Sequence, residues 1–284
     1  MGWRGLTISF PAELQEPITA TLYAHGCQGI SEDDGHLTAY FLEDVSTQEV
    51  MAALSCFDGT TTEWQSIAEQ DWQAGWKEGV GPFRVAGFLI CPPWKSCTPV
   101  AGESLIILDP GAAFGAGEHE TTRMMLTMLR EWAGSHDGLG GRRLLDLGTG
   151  TGILSIAAHV LGIGDVTSVD VEQRAVDTAR SNLALNGLSE KVALIHGGMA
   201  DAGTGYDVIL ANIFLEVLIG AMPDAASALK PGGTLIISGL LKGQEDELIK
   251  AAKAAGFELH GVCEDGRWVG ASFNSNAPSV PLLR

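Results

Sequence analysis

The chain has 284 residues, of which 45% are hydrophobic and 18% are charged. At roughly 150 residues per domain this length predicts about two domains, and the composition is globular, unlike collagen, a coiled coil or a disordered chain. Lysine and arginine number 17 against 35 acidic residues, so the net charge is −18. A surface this negative repels phosphate backbones, so we expect no direct nucleic-acid partner and favour a cationic partner.

Five cysteines are scattered along the chain, at positions 27, 56, 91, 97 and 263. None forms a CxxC pair or stands at zinc-ligand spacing from histidines, so we predict no metal site. An odd, scattered set favours structural cysteines in a reducing cytosol over a disulfide framework. The first ten residues alternate like a strand and no run of 18 apolar residues exists, so we expect a cytoplasmic protein without a signal peptide or membrane span.

Residues 1–68 are predicted to form a small α+β unit. Its hydrophobic alternation, turn residues and helix caps give elements in the order βαββαβ, which is typical of a ferredoxin-like unit. Ser46, with Glu49 three residues later, marks the start of the second helix. The predicted elements are strand 3–10, helix 17–25, strands 28–32 and 36–42, helix 46–56 and strand 61–68.

The charge of this small unit is one-sided. It holds ten acidic residues and one basic residue, Arg4, so its net charge of −9 is half that of the chain in a quarter of the length. An acidic face can simply keep a protein in solution. It can also dock a basic protein and speed the encounter with it. The sequence leaves both interpretations open.

A polar stretch with two tryptophans, residues 69–81, is predicted to be a linker to a second domain over residues 82–273. This domain begins with predicted strands at 83–90 and 105–108, and further along the chain strands alternate with helices. The alternation predicts a mostly parallel sheet with helices on both faces, as in a Rossmann-like fold. Residues 274–284 show no periodicity, so we expect a loose tail.

The strongest local signal is the run RLLDLGTGTG, in which an apolar strand leads into Gly148, Gly150 and Gly152. Glycines let the chain turn sharply and let a ligand approach the backbone closely. The spacing is GxGxG, so the GxGxxG dinucleotide fingerprint is not met. Asp170 ends the next predicted strand, where a carboxylate can accept hydrogen bonds from ribose hydroxyls. The alternative role for Asp170 is a cap on the following helix.

Two further segments reach the same edge of the predicted sheet. Asn212 ends the strand YDVILAN, and a buried strand end is a costly place for an amide without partners. Residues 108–122, LDPGAAFGAGEHETT, carry an adaptable glycine-rich loop into an amphipathic helix opened by Thr121 and Thr122, where spare N–H groups and hydroxyls suit a carboxylate. Residues 229–233, LKPGG, are predicted to be a turn before a late strand.

Together these segments resemble those of S-adenosylmethionine-dependent class I methyltransferases, which share an aspartate before GxGxG, an acid ending the next strand, and LKPGG. More narrowly, LDPGAAFGAGEHETTR is similar to the LDPGxAFGxGxHxTT segment of the bacterial ribosomal protein L11 methyltransferases. ILANI, DWQAGWK and SGLLKGQEDEL are similar to other segments of that family. The resemblance extends from residue 1 to residue 272, and it implies that the small unit grips the ribosomal protein.

The resemblance implies a binding site for S-adenosylmethionine. Glu118 and Glu120 stand where the family more often has Thr and Pro, and Gly198 stands where an aspartate often meets the adenine amine, so the group that recognises adenine is left open. The positions that match are Thr122, Gly148, Asp170 and Asn212 as cofactor contacts, with Phe114 and Gly150 as further walls of the pocket.

The implied reaction moves a methyl group from a sulfonium to an amine. Asn212 would lie near the methionine end of the cofactor and meet the incoming amine. His119 is the best titratable candidate for a general base, because it lies in the glycine-rich segment. A structural role, in which His119 holds the loop by a hydrogen bond, explains its presence there equally well. The sequence therefore identifies no general base.

Three hypotheses follow. The first is a monomeric protein-lysine N-methyltransferase that acts on the basic ribosomal protein L11. The second is the same enzyme class acting on another protein lysine or a small amine. The third, a non-catalytic cofactor-binding module, is disfavoured by the intact glycine-rich segment and Asn212. A nucleic-acid methyltransferase is disfavoured by the −18 charge and by the absence of an Asn-Pro-Pro-aromatic segment at Asn212.

Overall fold

The computed structural model describes residues 3–11, 14–33, 36–57, 59–67, 80–110 and 119–276. The chain forms two compact units, Met1–Val80 and Gly81–Arg284. Most of the predicted linker, and the predicted pocket residue Phe114, lie outside the described residues. Among the helices in the described ranges, none has the length and apolar character needed to cross a membrane.

The smaller unit has the ferredoxin-like arrangement that the sequence predicts. Its elements are β1 (Trp3–Ser9), α1 (Gln15–Ala24), β2 (Gly29–Asp33), β3 (His36–Leu42), α2 (Thr47–Leu54) and β4 (Thr61–Ile67). The four strands form an antiparallel sheet in the order β2-β3-β1-β4. The Ser46 hydroxyl accepts a hydrogen bond from the Glu49 N–H (3.4 Å), so the predicted cap starts α2.

The core of the smaller unit is made of apolar residues at the periods of strand and helix. Leu6 and Ile8 alternate along β1 and are fully buried with Phe41 of β3. Ile18 and Leu22, four residues apart on α1, belong to the same buried cluster. Periods of two and of about 3.6 place these side chains on facing surfaces, so the hydrophobic pattern by itself accounts for this unit's fold.

The larger unit alternates strands and helices along most of its length. Its described elements are β5 (Phe83–Val85), β6 (Phe88–Cys91), β7 (Ser104–Ile107), α3 (Glu120–Gly134), β8 (Arg143–Leu147), α4 (Ile153–Val160), β9 (Asp165–Asp170), α5 (Gln173–Leu185), β10 (Val192–His196), β11 (Tyr206–Asn212), α6 (Leu215–Ala228), β12 (Leu229–Leu241), α7 (Glu245–Ala254), β13 (Phe257–Asp265) and β14 (Trp268–Ser275).

Seven of these strands form one sheet in the order β10-β9-β8-β11-β12-β14-β13. The first five are parallel and β14 runs antiparallel to β12 and β13, which confirms the prediction of a mostly parallel Rossmann-like sheet. Successive residues of β8 face opposite sides. Leu144 belongs to the buried cluster that includes residues of α3, α4 and α5, and Leu145 to the one that includes residues of α6 and α7. β5, β6 and β7 form a separate three-stranded sheet.

Three segments of the larger unit differ from the sequence prediction. The predicted strand 83–90 is a hairpin, because Ala86 and Gly87 both have positive φ (47° and 73°), as in a two-residue type I′ turn. The predicted turn 229–233 lies inside β12, where a register shift relative to β11 accommodates the extra residues. Residues 274 and 275 of the predicted tail belong instead to β14, which pairs with β13 up to Ser275, and residues 277–284 lie outside the described residues.

Cys91 and Cys97 form a disulfide, which the sequence did not predict. Cys91 ends β6, the chain turns at once through two prolines, and the Cα atoms of the two cysteines lie 6.2 Å apart, within the usual range for a disulfide. Cys27, Cys56 and Cys263 are free thiols. The bond closes one short loop, so it is not a framework that links distant elements.

Candidate functional site

The predicted site residues meet at the carboxyl edge of the seven-stranded sheet. β8 and β11 are neighbours in the sheet but not in the sequence, so the direction of strand succession reverses between them. Leu147 at the end of β8 pairs with Ala211 of β11, so Gly148 and Asn212 leave the sheet side by side. Asp170 ends β9 on the other side of β8. Ligands of open parallel sheets bind at such a reversal point.

The glycine turn after β8 is held close to its neighbours. Gly148, Gly150 and Gly152 all have positive φ (74°, 55° and 82°), a conformation that residues with a Cβ rarely adopt. The N–H groups of Gly148 and Thr149 both donate to the carbonyl of Val169 (2.9 and 3.0 Å). A Cβ at Gly148 would lie 2.6 Å from a methyl carbon of Ile213. The turn therefore has no room for a side chain at its first residue.

Asp170, at the end of β9, stabilises this glycine turn by a hydrogen bond. One carboxylate oxygen accepts a hydrogen bond from the Gly150 N–H (3.0 Å), and the other accepts one from the Glu172 N–H (3.0 Å). Glu172, not Asp170, is the N-cap of α5. Asp170 closes the turn ahead of the helix, so the predicted helix cap at Asp170 is wrong by two residues, and its predicted contact with a ribose stays a prediction.

Asp146 is a site residue to which the sequence assigned no role. It lies within β8, is fully buried, and accepts hydrogen bonds from the hydroxyls of Thr149 (2.8 Å) and Ser155 (2.7 Å) through Oδ2. Its Oδ1 is buried and has no hydrogen-bond partner among the described residues. Burial raises the pKa of this carboxyl to about 6, although the two hydroxyls oppose the shift. The sequence signal was an aspartate inside an apolar strand.

Thr122 and Asn212 come together from distant parts of the chain. Thr122 is buried in the first turn of α3, and its hydroxyl oxygen lies 3.4 Å from Nδ2 of Asn212, which donates to it. Oδ1 of Asn212 is buried and, within the described part of the chain, has no hydrogen-bond partner. The amide is thus oriented by Thr122 and leaves one acceptor oxygen for a ligand.

His119 caps the helix that carries Thr122. Its Nδ1 accepts from the Thr121 N–H (3.3 Å) and lies 2.8 Å from the Thr121 hydroxyl, and its ring meets the edge of Trp268 at 5.0 Å between centroids. Arg123, one turn along, donates two hydrogen bonds to Asp265 (3.1 and 2.7 Å). The turn between β13 and β14 thus braces the start of α3, and His119 holds that helix start in place.

The segment after β10, where Gly198 replaces the aspartate common in the family, is closed by Asp201. Asp201 reaches back, and its Oδ2 accepts a hydrogen bond from the Gly198 N–H (2.9 Å). A Cβ at the neighbouring Gly197 would lie 2.5 Å from the same oxygen. The segment is therefore compact without a side chain at either glycine.

The site as a whole fits a cationic ligand that carries hydrogen-bond donors. Two buried acceptor oxygens, Asp146 Oδ1 and Asn212 Oδ1, lack partners in the described residues and flank a turn with no space for a Cβ. Unsatisfied buried acceptors are costly, so a donor from a ligand would stabilise them. The described residues contain no cluster of side chains suited to hold a metal ion.

Comparison with known proteins agrees with this geometry. A model of the family described as "Ribosomal protein L11 methyltransferase (PrmA)" matches residues 2–276. The chain is 33% identical over 264 residues to the ribosomal protein L11 methyltransferase of Pelotomaculum thermopropionicum, covering 91% of this chain and 82% of that protein. It is 38% identical over 217 residues to that of Limosilactobacillus fermentum, covering 75% of this chain and 66% of that protein.

Solved structures show the same relation. The crystal structure of a ribosomal protein L11 methylase from Lactobacillus delbrueckii subsp. bulgaricus matches with a TM-score of 0.62 and 32% sequence identity, covering 67% of this chain and 96% of that chain. Both the sequence and the fold therefore lead to one assignment. The chain belongs to the ribosomal protein L11 methyltransferase (PrmA) family and is a methyltransferase.

Proposed function

We propose that this protein transfers methyl groups from S-adenosylmethionine to lysine or other amino groups of ribosomal protein L11. The observation that carries the proposal is the pair of unpartnered buried oxygens on Asp146 and Asn212 beside a turn without room for a Cβ. A ligand with an ammonium group and a sulfonium would supply both the donors and the positive charge that this pair lacks. The family relatives, named for methylation of L11, support the substrate.

Different residues of the site would bind different parts of the cofactor. Asp170 would hold the ribose hydroxyls, because it ends β9 and each of its carboxylate oxygens has a further lone pair beyond the backbone hydrogen bond that it accepts. Gly148 and Gly150 would let the cofactor approach the backbone, and Asp146 and Asn212 would receive the hydrogen-bond donors of its methionine end. When bound, the cofactor supplies an electrophilic methyl group on a positively charged sulfur.

The acceptor amine must be neutral to attack. A lysine amine has a reference pKa of about 10.4, and both desolvation and a nearby positive charge lower it. Oδ1 of Asn212 can accept an N–H of the incoming amine and orient its lone pair toward the methyl group. The hydrogen bonds of His119 serve the start of α3, so we assign it a structural role and assign Asn212 the positioning of the amine.

The smaller unit is proposed to dock the substrate. Its acidic residues complement a basic ribosomal protein, and unlike charges speed encounter and fix orientation. We further propose that the enzyme acts as a monomer in the cytoplasm. If the acceptor were a lysine of another protein or a small amine, docking of L11 by the smaller unit would not be needed. An assay with L11 as the acceptor tests this alternative.

The test incubates the purified chain with S-adenosylmethionine labelled in the methyl group and purified ribosomal protein L11. We expect label in L11 and mass increments of one or more methyl groups on amino groups. Asn212→Ala should bind S-adenosylhomocysteine more weakly and, at saturating cofactor, should still transfer the label more slowly than the natural chain. If other proteins accept the label and L11 does not, the proposed substrate is contradicted. If the cofactor binds but no methyl group is transferred, the proposed activity is contradicted.

A further inference from the structure

The outer edge of β7 is covered by a helix instead of a strand. Asn186, the C-cap residue of α5, accepts a hydrogen bond from the Ile107 N–H (2.9 Å) and donates one to the Ile107 carbonyl (2.6 Å). Asn182 does the same with Asp109, at 2.8 and 3.0 Å. Leu108, between them, turns its N–H to the other side, where the Cys91 carbonyl of β6 accepts it (2.9 Å). The two side-chain amides therefore take the place of a neighbouring strand.

The spacing of the two asparagines fits this task. Residues four apart on a helix are about 6 Å apart along its axis, and residues two apart on a strand are about 6.7 Å apart. A carboxamide offers an N–H donor and a C=O acceptor side by side, like a peptide group. Asn182 and Asn186 can thus satisfy the open backbone groups of Ile107 and Asp109 in register.

Asn182 does one thing that Asn186 does not. It is fully buried, and its second Nδ2 proton goes to the carbonyl of Thr151 (2.9 Å), inside the glycine turn. Asn186 instead gives its second proton to the carbonyl of Asn182 in its own helix (2.7 Å). A Cβ at Gly152 would lie 3.3 Å from the Cβ of Ala179, so α5 also packs directly on the turn.

We propose that Asn182 is a positioning residue for methyl transfer, because one buried amide ties the strand end at Asp109 to the glycine turn at Thr151. The end of β7 at Asp109 and the glycine turn after β8 share this one amide, so Asn182 fixes where the turn lies relative to that strand end. The inference rests on the proposed function. It assigns to α5, which otherwise only covers the sheet, a part in the geometry of the site.

The test compares Asn182→Ala with Asn186→Ala, its matched control. Both variants lose the same type of strand clamp, so both should lower the unfolding temperature. Only Asn182→Ala should weaken binding of S-adenosylhomocysteine, measured by calorimetry, and lower kcat at saturating cofactor, each by roughly tenfold or more, because small displacements of reacting groups are expensive. Equal effects of the two variants on binding and kcat would overturn the inference.

A second measurement needs no variant. Hydrogen exchange of the intact protein should show that S-adenosylhomocysteine slows exchange of the Asp109 amide more than that of the Ile107 amide, because only Asp109 shares its partner with the glycine turn. Equal slowing would contradict the inference even if Asn182→Ala does not fold. An intact protein that fails to bind S-adenosylhomocysteine would instead overturn the proposed function, and the inference with it.

Discussion

The two units of the chain bury different kinds of residue. In the smaller unit every buried side chain that the structure describes is apolar. Among the residues of the larger unit that the structure describes, thirteen buried side chains are polar or charged. Many of them surround the glycine turn, among them Asp146, Thr149, Thr151, Ser155 and Asn182. Burying a polar group costs free energy unless its hydrogen bonds are satisfied, so such a concentration needs a function to explain it.

This difference fits the proposal that the larger unit carries out the chemistry and the smaller unit docks the substrate. The smaller unit is held by hydrophobic burial and presents its charge on the surface, where charge acts on encounter. The larger unit is destabilised by its buried polar site, in which two acceptor oxygens, of Asp146 and Asn212, have no hydrogen-bond partner among the described residues. Changes around the glycine turn of the larger unit should therefore alter cofactor binding, and charge changes on the surface of the smaller unit should alter only substrate recognition.

The largest expected effect is that of Gly148→Ala. A Cβ there would lie 2.6 Å from Ile213, at a φ of +74°, so we expect cofactor affinity to fall by roughly 100-fold or more. Gly187→Ala is the control, because Gly187 has a similar φ of +68° and a Cβ there would have no atom within 4 Å. Both variants should lose about 1–2 kcal/mol from backbone strain. Calorimetry showing equal affinities for the two variants would contradict the site.

Asp146→Asn should stabilise the free protein and weaken the cofactor complex. Because the folded protein holds the Asp146 proton up to a pKa of about 6, against 3.8 ordinarily, the stability of the natural chain falls as the pH rises between these values. The loss reaches up to about 3 kcal/mol by pH 7. The uncharged variant lacks this loss. Urea unfolding of both proteins from pH 4 to pH 7 measures this difference. If the free energy of unfolding changes with pH in the same way in both proteins, the account of Asp146 as a buried carboxylate is contradicted.

Reduction of the Cys91–Cys97 disulfide should have a smaller, purely structural effect. Closing so short a loop contributes about 2 kcal/mol, so a reductant should lower the Tm by about 5 °C. Titration should then find five thiols instead of the three that are free in the structure. Cofactor affinity should not change. Five reactive thiols in the unfolded protein without a reductant would show that the bond does not form in solution.

The smallest expected effect comes from reversing charges on the smaller unit. Glu43, Asp44 and Glu49 are exposed, and replacing all three with lysine should lower kcat/KM for L11 roughly tenfold at low salt. The difference should shrink at high salt, because exposed charges are screened. Affinity for S-adenosylhomocysteine should stay the same.

The control for this experiment reverses three exposed acids of the larger unit, one before β8, one before β10 and one in the second half of α6. These residues are Asp137, Glu190 and Asp224. If the smaller unit docks the substrate, the control should keep its kcat/KM within about twofold of the natural chain, since its charges belong to the other unit. Equal losses would mean that total charge, and not docking, controls the encounter.

The sequence predicts the parts of the site that depend on local pattern. An apolar strand before closely spaced glycines, and polar residues at two other strand ends, are sufficient to place Gly148, Asp170 and Asn212 at one edge of a parallel sheet. The fold class follows in the same way, because the alternation of strands and helices is a local property. Thr122 is brought to Asn212 as the resemblance implies.

The parts that escape prediction depend on partners distant in sequence or on single backbone angles. Asn182 reads as an ordinary polar residue of a helix, because its partners Asp109 and Thr151 lie 73 and 31 residues away. In the sequence, Asp146 is one more residue of a strand, and only the structure shows that its buried Oδ1 lacks a hydrogen-bond partner among the described residues. The hairpin at Ala86 requires a positive φ at a residue that seldom adopts it.

The most direct test of the account is a crystal structure of the protein with S-adenosylhomocysteine. We predict that the ligand crosses the carboxyl edge of the sheet between β8 and β11, with its ribose hydroxyls on Asp170 and its amino-acid end beside Asp146 and Asn212. The two buried oxygens that now lack partners should then accept hydrogen bonds from the ligand or from water that it holds. A ligand bound elsewhere, or one that leaves both oxygens without partners, would contradict the account.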